Sequence, residues 1–219
     1  MAKWDKPISG LLRTLLGRTD EQLMWRVKTE GDQEAFAGLV ARWQKPIHAL
    51  CTRMTGDPTA AEDITQTAFT RVFSNRERWE ATGKFSTYLW RVAINLCHDE
   101  ARRPWRRGEC SLDVLLDQEA CEVASLPQSD PPPDAQAETR ERGDMVRDAL
   151  LKLDPRYREV IVLKHYEGLK FHEIAGVLGI PEGTVKSRMA EGLARLNKLL
   201  KGLKTSCNQT SNPVELRAQ

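Results

Sequence analysis

Aromatic rings interleaved with cations are what single-stranded nucleic acid binding requires, because bases stack on rings while arginines hold phosphates. The stretch FSTYLWRVAINLCHDEARRPWRR has that mixture: Tyr88, Trp90 and Arg91 stand near Asn95, and it ends in Arg102, Arg103, Trp105, Arg106 and Arg107. A plainer reading assigns Tyr88 and Trp90 to a core and the arginines to a solvated terminus. A second stretch, Leu153 to Leu203, points to duplex DNA. Its last part spaces Val185, Met189, Leu193, Leu196, Leu200 and Leu203 by four, four, three, four and three residues, which makes one apolar stripe on a helix. On the opposite face lie Ser187, Ala190, Glu191 and Ala194, flanked by Lys186, Arg188, Arg195 and Lys198. Small residues let such a helix approach a surface while cations border it, as a recognition helix does in a major groove. An ordinary helical hairpin has the same outline.

Other chemistry finds no support. There is no glycine-rich phosphate loop, no nucleophile elbow and no spaced set of His and carboxylates, so no catalytic residue and no cofactor is expected. His172 beside Glu173 reads as a surface pair. Cys51, Cys97, Cys110, Cys121 and Cys207 are odd in number and contain no CxxC pair, which argues against a disulfide framework or a closed zinc site. Cys97 and His98 are adjacent, so on a helix they diverge by about 100° and do not form a metal site by themselves. Reduced thiols fit a cytosol, and the expected localisation is cytoplasmic. No run approaches the roughly 18 apolar residues of a membrane span. Leu11, Leu12, Leu15 and Leu16 are interrupted by Arg13 and make neither a signal-peptide core nor an anchor.

The elements that must position these residues are helices. At 219 residues the chain is long enough for one large or two small domains. Charged residues are 29% of the chain but the net charge is only +2, so local distribution matters more than the total. From Asp32, the residues Phe36, Leu39, Val40, Trp43, Ile47, Leu50, Cys51 and Met54 repeat at helical spacing until Gly56, Asp57 and Pro58 end the pattern. A second helix is expected from about Thr59 to Arg78, with Ala61, Ile64, Ala68 and Val72 on one line and Glu62, Asp63, Gln66, Thr67 and Arg71 on its other face. Periodicity draws the next helix from Phe85 to Arg103. Between Gly108 and Thr139 there are eight acidic residues and no Lys or Arg, and Pro131, Pro132 and Pro133 forbid a continuous helix. That composition reads as a flexible acidic linker. Helical pattern resumes at about Glu141. Asp154 then suits an N-cap with Pro155 at the first helical position, Gly168 stops that helix, and Phe171 to Leu178 with Gly179 makes a short helix and tight turn. The last helix starts at Pro181 or Glu182, and after Lys204 the tail has no periodicity.

This organisation, from Glu21 to Leu203, resembles a bacterial sigma factor of the extracytoplasmic-function (ECF) family. AEDITQTAFTRVF looks like the family's helix with a D-x-x-Q-x-x-F pattern, FSTYLWRVAINLCHDEARR like its promoter-melting segment, and GIPEGTVKSRMAEGLARL like its recognition helix. The resemblance implies an all-α chain of two small helical domains: an N-terminal extension 1–20, sigma region 2 at 21–107, the acidic linker 108–140, sigma region 4 with its helix-turn-helix at 141–203, and a tail 204–219. It implies that Asp63, Gln66 and Phe69 form or support the surface that docks on core RNA polymerase. Tyr88, Trp90, Arg91, Asn95, Arg102 and Arg103 would meet the minus-10 element, with Asn95 receiving a flipped base where the family breaks the helix. Lys186, Ser187, Arg188, Ala190 and Glu191 would meet the minus-35 element. The acidic linker would run toward the polymerase's RNA channel, and an anti-sigma factor is a further possible partner. A transcription regulator with the same helix-turn-helix beneath a sensor or dimerisation domain is the competing reading. It leaves the aromatic and basic cluster and the acidic connection unexplained.

Overall fold

The computed structural model describes residues 18–80, 83–107 and 143–210, with side chains as far as Arg102 in the first domain and Gly202 in the second. The N-terminal leucines, the acidic linker and the last residues of the tail lie outside the described residues. Among those described there are eight α-helices, one 3-10 turn and no strand. The first domain contains α1 (Asp20–Glu30), α2 (Gln33–Thr55), α3 (Pro58–Ser74), the 3-10 turn Arg76–Arg78 and α4 (Phe85–Arg107). The second contains α5 (residues 143–151), α6 (Pro155–His165), α7 (Phe171–Leu178) and α8 (Glu182–Thr210).

Local chemistry explains where these helices begin and stop. The Thr19 hydroxyl accepts from Gln22 N and the Gln22 side chain accepts from Thr19 N, a capping box that starts α1. Asp32 accepts from the backbone N–H groups of Glu34 and Ala35 at 2.9 and 3.0 Å to start α2. The start of α4 is capped from another helix, since Glu21 Oε1 accepts from Phe85 N at 3.1 Å. Gly56, with φ of 80°, and Gly179, with φ of 67°, close α2 and α7 in the left-handed conformation that favours glycine. Asp154 accepts from Arg156 N at 3.0 Å, with Pro155 in the first turn of α6.

Three expectations are corrected and one helix is added. The first domain has a helix before Asp32, and α1 buries Leu23, Met24 and Val27. Helix α3 ends at Ser74 and a 3-10 turn takes the chain to Arg78. Helix α4 is unbroken at Asn95, as periodicity drew it and against the break that the family resemblance implied. Helix α8 continues to Thr210, and its buried face turns past Met189: Gly192 is buried while Leu193 is 42% exposed. The reason is close approach. A Cβ on Gly192 would lie 3.1 Å from Ile161 Cδ1 and 3.2 Å from Tyr157 Cβ, so the missing side chain lets α8 lie directly on α6.

The domains are closed on each other. One hydrophobic cluster runs from Leu23, Leu50 and Phe85 of the first domain to Leu150, Val160, Ile174 and Met189 of the second. Cys51 of α2 and Cys97 of α4 are free, buried thiols in that cluster, and the hydrogen bond between them, with burial, pushes the Cys97 thiol far above the usual range. Such a thiol stays protonated and unreactive.

At the rim of the contact between the domains, Arg53 of α2 lies 4.3 Å over the Tyr166 ring and 3.5 Å from Glu167. Burial raises the Glu167 carboxyl to about 6 from 4.5, with the Arg53 charge opposing the shift. A carboxyl raised by folding contributes its stability in the neutral form. That contribution is complete below 4.5 and is lost as pH rises through about 6. Glu167→Gln is therefore expected to stabilise the protein above pH 6 by about 1 to 2 kcal/mol and to give no gain in acid. Thermal melts of both proteins across that pH range check the sign.

Candidate nucleic-acid and polymerase interface

Helix α3 buries Ala61, Ile64, Ala68, Phe69 and Val72 and leaves Asp63, Gln66, Thr67 and Arg71 in solvent. Asp63, Gln66, Thr67 and Arg71 line one side of an open groove of about 600 Å³, and Leu96, Asp99 and Glu100 of α4 line the other. Phe69 does not reach the surface. It is 6% exposed and sits edge-on to Phe36 with centroids 6.4 Å apart, so it supports the polar face from beneath.

Helix α4 carries Tyr88, Arg91, Asn95 and Arg102 at steps of three, four and seven residues, which places them on one face. Arg91, Asn95 and Arg102 are exposed, and Tyr88 is half-buried, with burial raising its phenol above the ordinary value. Asn95 thus presents its amide from a continuous helix, not from a loop. The side chain of Arg103 lies outside the described residues. Trp90 corrects the aromatic reading: it is 3% exposed and stands edge-on to Trp43 at 5.6 Å, in the core. Two residues from Tyr88, it points away from the shared face.

In the second domain α7, Gly179 and α8 form the helix-turn-helix. Val185 and Met189 anchor the start of α8 in the core, while Lys186, Ser187, Ala190 and Glu191 face solvent. Several of these polar groups are already paired. Ser187 Oγ donates to Thr184 O at 3.0 Å, Lys186 Nζ is 2.7 Å from Glu182, and Arg195 Nε donates to Glu191 at 2.7 Å. Arg188 is turned inward instead. Its Nη1 donates at 3.1 Å to Glu159, a carboxylate only 3% exposed on α6, so it serves the domain interior and does not stand with the exposed cations. A buried carboxylate needs such a partner, and that need outweighs exposure of the guanidinium. The other oxygen of Glu159 lies 2.9 Å from His98 Nε2 of α4.

The surface therefore offers an acidic and amide groove on α3 and α4, an aromatic and basic face along α4, and the solvent face of a helix-turn-helix. A family model for Sigma-70 region 2 matches residues 39–107, and one for Sigma-70 region 4 matches residues 143–196. The chain is similar to the ECF RNA polymerase sigma factor SigW of Bacillus subtilis, with 38% identity over 80% of this chain and 93% of that protein. This chain is an ECF RNA polymerase sigma factor. It is also 30% identical to the ECF RNA polymerase sigma-E factor of Escherichia coli K12 over 78% of this chain and 88% of that one. Its fold resembles CnrH, solved in complex with the cytosolic domain of CnrY, with a TM-score of 0.61 at 24% identity over 84% of this chain and 97% of that one. A second likeness is to the sigma factor RpoE of Bartonella quintana, solved with the anti-sigma factor NepR, with a TM-score of 0.59 at 23% identity, covering 76% of this chain and 96% of that one. Sigma factors recognise promoters for RNA polymerase and are not enzymes, which settles the choice against a free-standing regulator.

Position on α4 separates core from interface and can be measured. Trp90→Ala is expected to lower stability by about 3 to 5 kcal/mol, as truncation of a buried aromatic does. Asn95→Ala, further along the same helix but exposed, should change stability by no more than about 0.5 kcal/mol. Urea unfolding of the two variants distinguishes them.

Proposed function

We propose that this sigma factor docks on core RNA polymerase through the α3 face, with Asp63 and Gln66 in contact and Phe69 holding the helix beneath them. Tyr88, Arg91, Asn95, Arg102 and Arg103 then engage the single-stranded minus-10 element, and Lys186, Ser187, Ala190 and Glu191 the duplex minus-35 element. The observation that supports this reading best is the single face of α4 that joins a half-buried ring, an amide and exposed arginines. A ring stacks on a base, an amide offers a donor and an acceptor to a base edge, and guanidinium groups hold phosphate. No described helix is long and apolar enough to cross a membrane, and we assign the protein to the cytoplasm, where its polymerase and promoters are. By its likeness to proteins solved with such partners, an anti-sigma factor is a further partner.

In transcription reconstituted with core polymerase, Asn95→Ala should impair initiation at duplex promoters and alter the preferred minus-10 base while core binding survives. Identical base preferences in mutant and parent would remove Asn95 from the site. Asp63→Ala should weaken core binding without loss of helix content, measured by titration of core with the labelled protein. Unchanged affinity would place the docking surface elsewhere.

Glu191 poses a choice between partners. Its pair with Arg195 is solvent-exposed and weak, whereas a good base contact gives roughly 1 to 3 kcal/mol of discrimination. Cytosine N4 is the natural donor for a carboxylate, so DNA should displace Arg195. Glu191→Ala is then expected to relax selectivity at one C·G position of the minus-35 element, whereas Lys186→Ala should weaken binding with a smaller salt slope. Selection from randomised minus-35 sequences reads the first effect, and binding across a salt series reads the second.

A further inference from the structure

Successive residues of an α-helix are turned by about 100° about its axis. Measured from Val185, Met189 lies at about +40° and Gly192 at about −20°, so these three form the inner line of α8, and all three are buried. Lys186, Ser187, Ala190 and Glu191 fall on the other side. Arg188, at about −60°, stands at the edge of the inner line. Two apolar side chains and a glycine hold the helix down without giving it a direction, since apolar contact depends on area and not on angle. Such a seat resists separation better than roll. A roll of about 10° carries a side-chain tip, about 5 to 6 Å from the axis, through about 1 Å. Good donor–acceptor distances span only about 0.5 Å, so a base contact does not survive that displacement.

The direction comes from Arg188. Among the described residues Glu159 is the only charged side chain that is buried, and Arg188 Nη1 donates to its Oε1 at 3.1 Å. A charge-assisted hydrogen bond depends on angle as well as distance, and one end of this bond lies out of reach of screening ions. The glutamate is itself well seated, because the residues after it on α6, Val160 to Leu163, are all in the core. Helix α8 thus meets α6 in two ways one turn apart. At Gly192 the contact is apolar and close, and at Arg188 it is polar and directed.

We propose that Glu159 and Arg188 are positioning residues for promoter reading: their ion pair sets the roll of α8, and so the angle at which Lys186, Ser187, Ala190 and Glu191 meet the minus-35 bases. The proposal rests on the assignment of that outer face to the minus-35 element. Neither member of the pair touches DNA. A buried ion pair adds little stability over apolar side chains of similar volume, but a helix turned the wrong way leaves it unsatisfied, and in this way it selects one arrangement.

The test uses the full chain in holoenzyme reconstituted with core polymerase. It reads selection from randomised minus-35 sequences, and binding to one promoter duplex across a salt series. Glu159→Leu combined with Arg188→Met replaces the pair by apolar side chains and leaves the net charge unchanged. This variant is expected to keep its helix content and to resist urea at least as well as the parent. Discrimination at the positions read by α8 should nevertheless fall by about fivefold, the smaller end of what one base contact supplies. The salt slope should stay as it was. Loss of a phosphate contact lowers that slope by about 0.9, and this result overturns the proposal, as does unchanged selectivity in the folded double variant. If the double variant does not fold, Glu159→Gln carries the test, since it leaves Arg188 without its anion. Weaker discrimination is then expected. Tighter binding with a steeper salt slope shows an arginine released to the DNA and overturns the proposal. Glu191→Ala and Lys186→Ala separate it from the reading on which it rests. If these two alter minus-35 binding and the double variant does not, the outer face remains the reader and the pair is merely structural. If they too have no effect, the minus-35 assignment fails and the proposal falls with it.

Discussion

A helix that ends inside a protein leaves carbonyl groups without partners, and two helices of this chain end against each other. Arg158 serves both. Its Nε donates to Leu150 O at 2.8 Å, its Nη2 to Leu151 O and, at 2.9 Å, to Leu153 O, and its Nη1 to Met54 O at 2.5 Å. The first three carbonyls close the end of α5, and the fourth belongs to the last turn of α2 in the other domain. Burial lowers the pKa of this guanidinium, while Asp154 opposes that shift. Arginine keeps its charge at such a site, and its planar fork serves several acceptors at once in a way that a lysine ammonium does not. The helix-turn-helix thereby acquires a fixed base, since α5 and α6 are held together by a side chain that also reaches the first domain.

The remaining ties between the domains differ in kind. Lys84 with Glu173 lies at the rim, where an exposed ion pair contributes little and is screened by salt, whereas Arg53 meets the Glu167 carboxyl, whose charged form burial disfavours. The apolar cluster and the Arg158 contact to Met54 O also join them. Separating the domains would expose part of the apolar cluster as well as these polar groups. Glu159 stands between the two kinds. Its link to Arg188 lies within the second domain and survives opening, whereas its link to His98 does not.

Most of the fold was legible in sequence because its punctuation is local. Asp32, Gly56, Asp154 and Gly179 bring about helix starts and stops through their own backbone and side-chain chemistry, and each does so here. Helix α1 was missed although Thr19 and Gln22 spell its capping box, because its apolar set of three, Leu23, Met24 and Val27, is too short to show as a stripe. What sequence could not supply was the side on which a residue falls when two helices compete for it. Trp90 belongs to the core because Trp43 of α2 is there to meet it, and Arg188 faces inward because Glu159 is buried beneath it. Neither partner is near in sequence. The motif reading from family resemblance was right about the family and misplaced the local backbone at Asn95, where periodicity alone drew the continuous helix that is present.

Gly192 is remote from every base the chain could read, being on the inner side of α8, yet it bears on what the outer side presents. Helix α8 rests on α6 at that point with no side chain between them, and the exposed residues Lys186, Ser187, Ala190 and Glu191 lie within two turns of it. A single methyl group at 192 would press on Ile161 and Tyr157 and act as a wedge, tilting the rod about its buried anchors at Val185 and Met189. The height of the outer face of α8 above its base is thus set by an absent atom, and a substitution on the inner face can shift that surface without altering any group exposed on it.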